Sequence, residues 1–232
     1  GYSEEVVGEA IKGYDREKLI ISTKCGLVWG EGAPKDGRDV SGKSIMKEID
    51  DSLRRLGVDY IDIYHVHKPD HLGTPFEDTM SAMMKLKESG KIRHIGLSTH
   101  NPDVARLAAE HGEIEMILFS VNPAFDMMPA TEHLDDYFGE YDASLGGIVP
   151  ERAALYRICE QNGVGITVMK GYAGGRLFTA EQSPFGVALT PVQCLHYALT
   201  RPAVASVMVG FDTPAHVDAA GAYATATEAE KD

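Results

Sequence analysis

Six short apolar runs punctuate the chain: LIIST (19–23), YIDIYHV (60–66), HIGLS (94–98), MILFSV (116–121), GITVM (165–169) and ASVMVG (205–210). Longer amphipathic stretches separate them. Short, mainly apolar runs of this kind read as strands buried on both faces, the mark of a parallel sheet. The stretches between carry helix signals. Ser3 reads as an N-cap ahead of acidic Glu4 and Glu5, and Asn101-Pro102, Thr190-Pro191 and Thr213-Pro214 each pair a capping side chain with a proline suited to the first helical position. Gly57, Gly90, Gly112 and Gly163 stand where helices should stop. After Ser44, the residues Ile45, Ile49, Leu53 and Leu56 form one apolar stripe, with Arg54 and Arg55 outside it. Such alternation requires right-handed crossovers and leaves two architectures, an open doubly wound sheet or a closed eightfold barrel. No glycine-rich phosphate fingerprint joins a strand to its helix, and GYAGG after 165–169 is a loose match. The expected fold is therefore α/β, a parallel (β/α)8 TIM-type barrel. It is read as one domain over residues 1–232, with about the first two strands missing from this chain.

Composition narrows the partners. The chain has 232 residues, 44% apolar and 25% charged, with a net charge of −13. That charge repels nucleic-acid phosphates and anionic membrane surfaces. No stretch approaches the ~18 apolar residues of a membrane span, and GYSEEVVGEA lacks the parts of a signal peptide. A cytoplasmic protein with no nucleic-acid and no membrane partner is expected. Cys25, Cys159 and Cys194 are odd in number and scattered, which suits a reducing compartment and matches no metal spacing. Packing is the first expectation for each. Residues 122–150 and 171–190 are too long for plain connections and are rich in Gly, Pro, aromatic and acidic residues, as substrate-covering loops often are. The tail TATEAEKD is expected to fray.

Active sites of parallel barrels lie at the C-terminal strand ends. There the sequence places Lys24, His67, Ser98-Thr99-His100, Asn122, Lys170 and Gly210. A solvated lysine or a structural histidine accounts for any one of them, but not for their common position. On the period-2 rule Ile61, Ile63, His65 and His67 share a face, and Asp62, Tyr64 and Val66 point the other way. Three chemistries use such a set. One handles a carbonyl between Lys24 and His67. A second is a metal-dependent barrel hydrolase holding its ion with His65 and His67, joined by His100 and Asp212. The third is a Schiff-base aldolase using Lys24 or Lys170.

The run TK at 23–24, then DDSLRRLGVDYIDIYHVHKP ending at Pro69, then GKIRHIGLSTH at 90–100, resembles the aldo-keto reductases. ERAALYRICEQNGVGITVMKGYAGGRL and SPFGVALTPVQCLHYALTRPAVASVMVG are similar to a bacterial branch whose members often carry a C-terminal iron-sulfur extension. The resemblance implies reversible hydride transfer between NADPH or NADH and a small aldehyde or ketone. In the family a tyrosine protonates the carbonyl oxygen, a lysine paired with an aspartate lowers that tyrosine's pKa, and a histidine orients the carbonyl. Lys24 matches the lysine and His67 the histidine. The family's aspartate and tyrosine are expected upstream, the tyrosine immediately before Gly1, with Tyr2 two residues late. The chain as written is expected to hold half the tetrad and to be inactive or nearly so.

For the cofactor, the resemblance assigns Ser98 to the nicotinamide amide, with Thr99 where relatives have asparagine and Leu118 where they have glutamine. Asn122 is a polar group nearby. Met169 takes the place of a stacking aromatic residue, and Lys170, Gly171, Gly174 and Gly175 are placed to cradle the pyrophosphate. Beyond Gly210, Asp212 stands where relatives keep an arginine or lysine for the NADP 2′-phosphate. No iron-sulfur cluster is expected, because three scattered cysteines cannot supply four thiolates. A non-catalytic nucleotide-binding barrel, a sensor or regulatory subunit, is the alternative from another class.

Overall fold

The computed structural model describes all residues except 31, 32, 35, 36, 68–75, 132 and 140–145. Lys68 and Pro69 of the histidine motif, and part of the 122–150 segment, thus lie outside the described residues. Two compact units are present, Gly1–Ser98 with Glu113–Met116, and Thr99–Gly112 with Ile117–Asp232. Among the described residues no helix is long and apolar enough to cross a membrane.

The first unit runs through α1 (Tyr2–Ala10), β1 (Ser22–Cys25), α2 (Gly42–Leu56), β2 (Ile61–His67), α3 (Glu77–Glu88) and β3 (Ile92–Thr99). β2 pairs in parallel with β1 on one side and β3 on the other, as the apolar runs predict. β1 begins three residues later than expected. The Ile21 amide donates to Asp62 Oδ2 at 2.8 Å, the Leu19 carbonyl accepts from Arg16, and Ile20 is left exposed, so pairing starts only at Ser22. Lys24 consequently lies inside β1 rather than after it. Ser3, the expected N-cap, instead lies inside α1, whose N-cap is Gly1, two residues earlier, and α2 is capped by Ser41, whose hydroxyl accepts from the Ser44 amide at 3.3 Å. Gly57 ends α2 with φ +68°, a left-handed turn that favours glycine.

Charged side chains pair closely around the first strands. At the N-terminal end, Asp62 accepts from Arg16 at 2.7 Å and Arg93 at 3.2 Å, and both guanidinium groups lie on the faces of the Tyr60 ring, 3.9 and 4.0 Å from its centroid. On the helical side, Glu4 accepts from Thr23 Oγ1 and Arg55 Nε. Burial alone pushes the Glu4 carboxyl up, but those two donors bring it below the usual range.

The second unit continues with α4 (Pro102–Glu110), β4 (Met116–Ser120), α5 (Pro150–Asn162), β5 (Gly165–Met169), α6 (Pro191–Leu199), β6 (Val204–Val207), α7 (Pro214–Gly221) and α8 (Glu228–Lys231). β5 and β6 are parallel, with a register shift between Ile166 and Thr167. β6 stops at Val207, so Gly210 lies beyond the strand it was expected to close. Asn101, Thr190 and Thr213 cap their helices as expected, Thr190 within a full capping box. The tail expected to fray instead forms the single turn of α8.

A fully buried ion pair sits in this unit. Asp126 Oδ1 accepts from Arg152 at 3.1 Å and from the Tyr156 hydroxyl at 2.7 Å, and Oδ2 accepts from Tyr197 at 2.8 Å. Arg152 also donates to the Ser120 carbonyl, and its guanidinium faces the Phe119 and Tyr137 rings. Those π faces account for guanidinium nitrogens that lack hydrogen-bond partners.

Candidate functional site

In the first unit, strand register assembles the expected residues. Lys24 lies opposite His65, and His67 opposite Ser98. Opposed residues of a parallel pair point to the same face, so Lys24, His65, His67 and Ser98 share one side of the sheet near its C-terminal edge. Lys24 is half-buried, and this burial lowers its pKa from the ordinary lysine value. Directly after β1 the chain turns at Gly26, φ +94°, whose amide donates to Glu48 Oε2 at 3.0 Å. A side chain at Gly26 would lie 2.8 Å from Val40, so the turn fixes where β1 ends.

His65 is 2% exposed. Burial first, and then the Lys24 charge, pull its pKa down to about 4, against the opposing effect of the Leu97 backbone. The ring is neutral at physiological pH. Its folded value lies below the unfolded value of about 6.5, so the unfolded chain takes up the proton first. The stabilising difference is fully present above about pH 6.5 and is lost as pH falls through 4. It amounts to about 3 kcal/mol, and His65→Gln is expected to flatten this part of the profile. Urea midpoints at pH 7 and pH 4.5 measure it; an equally steep acid loss in the variant sinks the assignment.

Among the described residues, no group of three or more His, Cys, Asp or Glu side chains is arranged to hold a metal ion. Cys25, Cys159 and Cys194 are free and buried, and burial raises all three thiols, Cys159 and Cys194 to about 12. Tyr2 is exposed at the start of α1.

In the second unit a cleft of about 430 Å³ gathers Lys170, Gly171, Gly174, Gly175, Gly210 and Asp212, six of the residues singled out from sequence. Lys170 adopts φ +60°, rare for a side-chain-bearing residue, and its carbonyl is held by Asn122 Nδ2 at 2.9 Å and the Ala173 amide at 2.8 Å. The other end of the Asn122 amide accepts from Phe125 at 2.8 Å, so this buried residue holds backbone in place. Gly171 lies against Val207 and Val209, closer than a side chain would allow comfortably, while Gly175, φ +89°, and Gly210 have open space where a side chain would stand. Exposed backbone beside a lysine suits a phosphate, so these residues fit the nucleotide that the sequence implies. At another part of the lining, the Asp212 amide donates to His216 Nδ1 at 3.3 Å.

Ser98 and Thr99 are buried at the end of β3, and Thr99 Oγ1 accepts from the Asn101 amide at 3.1 Å. Met169, the last residue of β5, is half-buried. Sequence reading missed Tyr172, Phe178, Val209 and His216 of the cleft. It also missed Gly96, although a lone glycine inside a strand is a signal of close approach.

The chain matches the aldo/keto reductase family model over residues 1–188. It is 30% identical over 223 residues to an uncharacterized oxidoreductase of Bacillus subtilis, covering 90% of this chain and 69% of that protein. Identity to the NADH-specific methylglyoxal reductase of Escherichia coli is 39% over 127 residues, 50% of this chain and 39% of that relative. The matched stretch is thus well under half of the latter protein's length. Among solved structures, an aldo-keto reductase from Bacillus halodurans in its holo form superposes with TM-score 0.74 at 25% identity, covering 98% of this chain and 75% of that one.

Proposed function

Since the chain belongs to the aldo/keto reductase family, we propose that the protein is an NAD(P)H-dependent reductase of aldehydes or ketones. The register that sets half-buried Lys24 and His67 on one face near the strand ends carries this reading. Both groups can donate to a carbonyl oxygen on which charge develops, and such donors hold it without reorganising. A phenol beside the Lys24 ammonium, the family's proton donor, would ionise more readily than in water. When bound, the nicotinamide supplies the hydride.

We assign the nucleotide contacts to Ser98, Thr99 and Met169 on the nicotinamide side, and to Lys170, Gly171, Gly174, Gly175 and Gly210 around the phosphates. Asn122 acts by fixing the Lys170 backbone. Buried, free cysteines agree with a reducing, cytoplasmic setting. The assay is oxidation of NADH and NADPH, followed at 340 nm, by the full-length protein across a panel of aldehydes and ketones. Binding of either nucleotide with no turnover on any carbonyl would favour the non-catalytic barrel instead.

NADH is the favoured cofactor. Asp212 lines the cleft; its carboxylate would repel a 2′-phosphate, whereas it could accept from a free 2′-hydroxyl. Asp212→Arg is expected to lower KM for NADPH by about tenfold and to weaken NADH. An unchanged ratio of the two KM values places Asp212 away from the ribose.

A further inference from the structure

The roles assigned to Lys24 and His67 leave His65 unexplained. It sits in the register row between Lys24 of β1 and Gly96 of β3, one row below His67 and Ser98. A Cβ on Gly96 would stand 2.3 Å from His65 Nδ1 and 2.6 Å from Cε1, so the imidazole fills the space a side chain there would need. Gly96 does not adopt a positive φ; its lack of a side chain makes room for the ring. A leucine could fill that seat without burying a polar ring whose Nδ1 has no hydrogen-bond partner. Lys24, for its part, makes no hydrogen bond or ion pair with any described residue, and the imidazole is its cross-strand neighbour.

We propose that His65 is a positioning residue, an imidazole seated on Gly96 that supports the Lys24 ammonium from below and sets the height of Lys24 and His67 at the strand ends. The inference rests on the reductase reading. An uncharged polar ring stabilises a neighbouring ammonium by its dipole without competing for its proton, and a rigid seat holds that dipole in one direction.

The test uses the full-length protein with NADH and the best carbonyl substrate. His65→Leu is expected to lower kcat by at least tenfold, with KM for NADH and for the carbonyl within about threefold, because misplacing a catalytic group by about an ångström costs rate more than binding. The alkaline limb of kcat/KM should move to lower pH, since an ammonium without its dipole gives up its proton sooner; simple loss of packing would leave that limb in place. His65→Gln, which keeps a polar group, should recover part of the rate.

Gly96→Ala leaves His65 present but unseated and should reproduce both effects. It also serves if His65→Leu does not fold. Gly96→Ala/His65→Ala should be no slower than His65→Ala alone, because the clash exists only while the ring is there. A kcat within threefold of the parent and an unmoved alkaline limb, in either His65→Leu or Gly96→Ala, overturn the inference while Lys24→Met remains inactive. If Lys24→Met turns over like the parent, the reductase reading itself fails.

Discussion

Lys24→Met is expected to lower kcat/KM for carbonyl reduction by roughly 10²–10⁴, the range contributed by a positioned acid-base group, while NADH still binds. The methionine keeps the length and most of the volume of the lysine, so the half-buried site at β1 stays filled. What it removes is a positive charge for which no described residue provides an ion pair. Elsewhere in the same unit Arg16, Arg55 and Arg93 are all paired with carboxylates. An unpaired, half-buried ammonium is costly to keep and is best explained by work done on a ligand. Steady-state rates at 340 nm, with NADH affinity from fluorescence titration, check the prediction. Activity within threefold of the parent would remove Lys24 from the catalytic site.

Arg152→Met carries the largest expected effect on stability, a loss of about 3–5 kcal/mol. Arg152 and Asp126 are both fully buried, and the pair is tied into two tyrosine hydroxyls and the Ser120 carbonyl. Burial alone would pull the arginine's pKa down, but the Asp126 charge beside it more than restores it. Burial, and then Asp126, hold the Tyr156 phenol in its protonated, donating form. Removing Arg152 leaves the carboxylate in the interior with two neutral donors. Asp126→Leu together with Arg152→Met should cost less than the two single changes added, because no lone charge remains. Urea denaturation measures both, and a single-mutant loss below about 1 kcal/mol would mean the pair is not buried in solution.

The same network shows where sequence reading stopped. An arginine two residues into the helix PERAALYRICEQN looks like a solvated side chain, and Asp126 looks like an acidic loop residue. Nothing local links positions 26 apart, and only the packing of Tyr156 and Tyr197 over them reveals the pair. The strand edges behaved similarly. Apolar content placed β1 at 19–23, but Asp62, 41 residues along the chain, captures the Ile21 amide and moves the start. Gly210 likewise falls outside β6, because the β5–β6 ladder pairs no further than Val168 with Val207.

The placement of Lys24 and His67 near the strand ends could be read beforehand because it follows from two regularities of the local chain. The alternation of apolar runs and helices implies parallel strands, and the period-2 rule inside a strand assigns each residue a face. Those are properties of the local chain, as are the proline-backed caps at Asn101, Thr190 and Thr213. By itself, then, the sequence determined the parallel β/α order, the proline-backed helix starts and which side chains stand near the strand termini. The tertiary structure alone decided which of them meet: His65 on Gly96 beside Lys24, Asn122 on the Lys170 carbonyl, Arg152 on Asp126. Local propensity acts within a few residues, whereas these partners are chosen by register and packing between segments far apart in the chain, where burial gives a polar group strong reason to find the one partner within reach.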